Sequence, residues 1–176
     1  MSSSIATATA LRRGFERLLE AVVILLTVTM AAVVLAAIVY RKAGASLVWY
    51  DEVASVILAW LTYYGAALAA LKRAHIGFPG LVEALSPRWR VPLLIASETV
   101  VIAFFLLLAW FGWRVLEILE GDSLVSLTWV PTALVQSVIP IGALLYVLAQ
   151  LASLPEALTE ARAGLHHKIV PEEPDA

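Results

Sequence analysis

No charged side chain occurs between Glu52 and Lys72, none between Asp122 and Glu156, and only Glu20 interrupts the run from Arg17 to Arg41. A helix that crosses a bilayer needs ~20 predominantly apolar residues, and each of these gaps can supply them. A small soluble core could not hide all three. Composition agrees: the 176-residue chain is 61% hydrophobic and 15% charged, against about 45–50% and 25% in soluble domains. The absence of cysteine excludes disulfides and thiolate metal sites. A net charge of −2 leaves no basic footprint for nucleic acid. The chain reads as an all-α integral membrane protein.

Four spans are expected, at about 21–40, 53–71, 91–113 and 132–154, making one membrane domain over 21–155. A cytoplasmic N-terminal segment (1–20) precedes it and a polar cytoplasmic tail (156–176) follows. The uncharged stretch to Ala10 reads as a disordered start and the tail as mobile. The first apolar run is longer than the ~7–15 residues of a signal-peptide core and ends on Tyr40, Arg41 and Lys42 rather than a cleavage site. It is therefore a retained helix. Asp51 and Glu52 open the second span and Lys72 and Arg73 close it, the order that suits the helix dipole. Pro92 fits the first turn of the third span. Pro140 is expected to kink the fourth or to rearrange its ladder locally. Short interfacial helices are expected over 81–86 and 123–131.

Lysine and arginine set the orientation. With both termini on one side, that side holds Arg12, Arg13, Arg17, Lys72, Arg73, Arg88, Arg90, Arg162 and Lys168, and the other keeps Arg41, Lys42 and Arg114. Nine against three favours cytoplasmic termini and a cytoplasmic middle loop.

Catalysis is poorly provided for. A haem held by two histidines needs them on facing helices, yet only His75 lies near a span; His166 and His167 sit in the tail. No phosphate loop, HExxH pattern or nucleophile elbow is present. No enzyme, cofactor or metal site is expected. The better clue is Glu98, an acid inside the third span and about 6 Å from its centre at 1.5 Å per residue. It could take up a proton or an ion, or hydrogen-bond to a neighbouring helix or subunit. A lone carboxylate makes a weak cation site, which favours the second role.

The second span is built to pack. Ser55, Ala59, Ala66 and Ala70 follow helical spacing, and Gly65 with Ala69 forms a small-xxx-small pair. Trp60, Tyr63 and Tyr64 add large, partly polar contacts. Whether the neighbour is internal or another subunit is open at this level.

The run Asp51-Glu52, then Trp60, then Gly65-Ala66-Ala67, then Lys72-Arg73-Ala74-His75-Ile76 resembles the small membrane subunit of TRAP (tripartite ATP-independent periplasmic) transporters, the DctQ-type family. Size, span number and inside termini agree along nearly the whole chain, while the specific motif covers only Asp51 to Ile76. Members often carry Val-Asp soon after His-Ile, where this sequence has Phe78-Pro79.

The resemblance implies a multi-pass protein of the bacterial inner membrane, surrounded by lipid. Its partners would be a large permease subunit (M-type), which holds the substrate and sodium sites, and a periplasmic substrate-binding protein. The small subunit would act as scaffold for sodium-driven import of organic acids. Glu52, Ser55, Ala59, Trp60, Gly65, Ala66, His75 and Glu98 would then be interface or structural residues, not ligands. The rival readings are a self-sufficient four-helix homodimeric exporter and a membrane cytochrome subunit. The first is disfavoured by a first span free of acids, the second by the histidine count.

Overall fold

The computed structural model describes residues 2–74 and 87–163, with side chains over 10–74 and 88–162. Its helices are α1 (Ser2–Lys42), α2 (Tyr50–Leu71), α3 (Pro87–Ile118), α4 (Thr132–Gln136) and α5 (Val138–Ala163). Four stretches, with α4 and α5 counted together, are long and apolar enough to cross a membrane. At 1.5 Å per residue the 22 residues of α2 rise ~33 Å, close to the hydrocarbon thickness. Hydroxyls in the apolar runs bond to their own helices, as a medium without water requires. Thr27 donates to the Val23 carbonyl (2.7 Å), Thr62 to Leu58 (2.8 Å) and Thr99 to Ile95 (2.7 Å).

The spans stand in the order α1–α2–α5–α3, each packed on the next. The helix that arrives last in the chain is thus inserted between the second and third. Its packing is correspondingly deeper: 39% of its apolar window is buried, against 6% in each of the outer helices α1 and α3. Leu19, Ala67, Ala70, Leu71, Tyr146 and Ala149 form the core where α1, α2 and α5 meet. Phe105 of α3 stacks on Tyr146 with ring centroids 3.8 Å apart. Small residues set the closest approach. A Cβ on Gly142 of α5 would fall 2.6 Å from the Tyr63 Cβ of α2, and one on Gly112 of α3 would fall 3.0 Å from Ile139.

Several expectations need correction. The start is helical from Ser2, not disordered. Residues 123–131 form a loop instead of an interfacial helix, closed by a Ser123–Pro131 bridge, Leu124 N–H to the Val130 carbonyl (3.1 Å) and Thr132 N–H to the Asp122 carbonyl (2.9 Å). Its amides are drawn into those bonds and onto Glu52, leaving no helical ladder. The fourth span does break, but at Ser137 between α4 and α5. Four residues before Pro140 is Gln136, whose carbonyl the proline ring crowds, and α4 ends there. Finally, the mobile tail expected from Glu156 is helical to Ala163 and passes through Pro155. Burial of Ala157 (2% exposed) and the Arg12–Glu156 ion pair offset the one bond that Pro155 cannot make. The segment 81–86, expected to be helical, lies outside the described residues.

Candidate functional site

One end of the row carries nearly all the paired charge. The α2 helix closes in a Schellman turn: Arg73 N–H bonds to the Ala70 carbonyl (3.2 Å) and Ala74 N–H to the Ala69 carbonyl (2.9 Å). The turn needs a left-handed residue, normally glycine. The equivalent turn after α1 has Gly44 at φ 81°, whereas here Arg73 adopts φ 51°. That position aims its guanidinium at Glu98 of α3 (3.8 Å) and Glu160 of α5 (3.9 Å). Glu98 is 8% exposed and also accepts a hydrogen bond from the Gln150 amide of α5. Beside it Lys72 bonds to Glu20 and lies 3.5 Å from Glu16, tying α2 to α1. The Glu20 carboxylate holds the Lys72 ammonium above its ordinary range. Arg12 donates to Glu156 (2.9 Å) and to the Leu71 carbonyl (3.3 Å), tying α1 to α5 and capping α2. Among the described residues only Arg12 Nε and Gln150 Oε1 are buried side-chain polar atoms without a bond. The network is close to saturated.

The other end is held by Glu52. Its carboxylate accepts from Val125 N–H (2.9 Å), Ser126 N–H (2.8 Å) and the Ser126 hydroxyl. It therefore acts as an anchor for the 123–131 loop. Trp60 donates its indole N–H to the Val135 carbonyl (3.0 Å), one of the carbonyls left open at the end of α4. Tyr50 accepts a bond from Arg41 across the α1–α2 turn. Replacing Glu52 by Ala should speed amide hydrogen exchange at Val125 and Ser126 while leaving exchange in the middle of α2 unchanged. Equal acceleration along the whole helix would show that Glu52 supports α2 rather than the loop.

Of the other residues singled out by sequence, Ser55 is exposed, with its hydroxyl on the Asp51 carbonyl (2.7 Å), and Ala59 and Ala66 are half-buried. Gly65 faces open space, with nothing within 4 Å of a built Cβ. His75 lies outside the described residues, as do His166 and His167. Sequence reasoning missed Arg73 and Gln150 as partners of Glu98, Ser126 as partner of Glu52, and the Tyr63–Gly142 contact. A glycine inside a charge-free run is a signal for Gly142 and Gly112. Nothing local marks the other three.

Chemically, both ends are fastenings. Among the described residues no three His, Cys, Asp or Glu side chains gather to hold a metal ion. No curated protein matches the sequence. A family does, described as "Tripartite ATP-independent periplasmic transporters, DctQ component", over residues 30–160. That span takes in α2, α3 and α4, most of α5, the last third of α1, the Glu52 anchor, and the Arg73–Glu98–Gln150 cluster. It is a family of transporter components rather than of enzymes, and matched over so much of its length, this chain belongs to it as a small membrane subunit of a tripartite ATP-independent periplasmic transporter.

Proposed function

We propose that the chain serves as a static scaffold for the large permease subunit of a sodium-driven, binding-protein-dependent importer of organic acids in the bacterial inner membrane. The observation that supports this most is how the row of helices is fastened. Cross-helix ion pairs tie α1, α2, α3 and α5 at one end, and Glu52 and Trp60 tie α2 to the 123–135 segment at the other. A part that must stay still while another moves profits from such ties. Glu98, the one buried acid among the described residues, is already matched by Arg73 and Gln150. A homodimeric exporter would need an intramembrane acid free to take up its ion, so the geometry gives that alternative no support.

The orientation belongs to the same reading, with the Arg73–Glu98 end cytoplasmic. Reporter fusions after Tyr50 and Asp122 should report the periplasm, and fusions after Arg90 and at Ala176 the cytoplasm. A periplasmic signal at Ala176 would overturn this map.

Gly65 provides the test of partnership. Because a side chain there meets nothing within the chain, Gly65→Leu should leave the isolated subunit folded. If the large subunit covers this face, overpacking should weaken the contact by about 1–3 kcal/mol, and the affinity behind co-purification in mild detergent should fall by about fivefold or more. Undiminished co-purification would remove Gly65 from the interface. Transport by the wild-type chain alone in liposomes would sink the scaffold reading.

A further inference from the structure

The first turns of the membrane-crossing part of α1 sort their charges by face. Arg12, Glu16 and Glu20, each four residues from the next, turn inward and are paired with Glu156 and Lys72. Arg13 and Arg17 lie on the adjacent outward face, both exposed. Neither has an acidic partner among the described residues. They stand four residues apart, so their side chains are neighbours on one helix face about 6 Å apart along the axis. Gly14 leaves open space beside them.

Below the pair the same face turns wholly apolar. Ala21, Ile24, Val28, Ala31 and Leu35 continue it at helical spacing, and all five are exposed. From Arg17 to Leu35 the rise is ~27 Å, close to the hydrocarbon thickness of a bilayer. Two guanidinium groups with no acidic partner among the described residues thus cap an unbroken lipid-length strip. We propose that this face of α1 binds an anionic phospholipid, with its phosphate headgroup on Arg13 and Arg17 and its acyl chains along Ala21, Ile24 and Val28. Arginine suits the task, because its planar fork matches phosphate oxygens and its stem can bend toward the interface. The acids of α1 that would repel such a lipid are the ones turned inward onto Lys72.

The test uses the full chain in non-ionic detergent. Phosphatidylglycerol and phosphatidylcholine with the same acyl chains compete for it, and bound lipid is counted by native mass spectrometry. An arginine near an anionic surface is worth about fivefold in association, so the wild type should prefer phosphatidylglycerol by roughly thirtyfold. Arg13→Gln with Arg17→Gln should bring the preference close to unity. Arg13→Lys with Arg17→Lys, which keeps the charge, should retain most of it. Arg114→Gln should change nothing, since that exposed arginine lies on α3 and is paired with Glu117 at 3.3 Å. Added salt should weaken the preference. Equal binding of the two lipids by the wild type, or a preference surviving the double Gln variant, would overturn the proposal. Displacement of phosphatidylglycerol by equimolar inorganic phosphate would replace it with a small-anion site. Loss of the preference on co-expression of the large subunit would give this face to protein instead of lipid.

Discussion

Glu98→Leu should lower the stability of the purified subunit by about 3 kcal/mol, while Glu98→Gln, which also loses the charge but keeps a hydrogen-bond acceptor, should cost less. Breaking a buried ion pair from one side costs about 3–5 kcal/mol, because the remaining charge stays buried without its counterpart. The low end applies here, since the Arg73 side chain keeps 24% of its exposure and still has Glu160 at 3.9 Å. Leucine also strands the Gln150 amide, which donates to Glu98. Glutamine can keep that bond and removes only the charge. Thermal unfolding in detergent measures the difference, and uptake by the assembled transporter should follow assembly for both variants. If Glu98→Gln abolished uptake while the complex still assembled, ion coupling would become the better role for this carboxylate. The Arg73 side of the pair carries a second signature. Arg73→Ala keeps a side chain at φ 51°, whereas Arg73→Gly relieves that strain, worth about 1 kcal/mol. Both lose the ion pairs, so glycine should be the milder substitution. Were alanine and glycine equal, the left-handed turn would not be costing the native chain anything.

This cluster marks the boundary of what the sequence makes legible. Glu98 is conspicuous because an acid in an apolar run is costly and needs a partner, and hydropathy locates such a residue without any fold. Its partners are another matter. Arg73 reads as a basic residue closing α2, and its place in a left-handed turn runs against the usual glycine. Gln150 reads as one polar residue in a long neutral stretch. They meet only because α5 enters between α2 and α3, an arrangement that no local pattern specifies. The limits of the helices differ from the spans for a related reason. Hydropathy reports where hydrocarbon is tolerated, while a helix ends where its backbone bonds end. So α3 starts at Pro87 and runs to Ile118, through Arg88, Arg90, Arg114 and Glu117. The loop over 123–131 escaped for want of a partner: uncharged and bounded by Pro131, it reads as an interfacial helix until Glu52 is brought to Val125 and Ser126.

Gly142→Ala should separate α2 from α5, although by helix propensity alone it stabilises by about 1 kcal/mol. Geometry decides against propensity. The new Cβ would lie 2.6 Å from the Tyr63 Cβ, 2.9 Å from its Cδ1 and 3.0 Å from its Cγ. A ring can rotate away, but a Cβ is fixed to its backbone, so relief requires the two helices to part. Overpacking of this kind costs about 1–3 kcal/mol and can exceed the propensity gain. The subunit should therefore unfold at lower temperature, and Gly142→Leu at lower still. Tyr63 allows the cause to be isolated. With Tyr63→Ala the ring is gone but the 2.6 Å contact remains, so only part of the loss should be recovered. With Tyr63→Gly the contact itself is gone, and the coupling with Gly142→Ala in a double-mutant cycle should be larger. Equal coupling in the two cycles would assign the clash to the ring instead of the backbone approach. Because apolar bulk gives no net association between helices already in lipid, closeness at Gly142 is what holds the middle of the row together. On the scaffold reading proposed above, the same substitution should then loosen the hold on the large subunit, even though residue 142 sits inside the row and is itself buried.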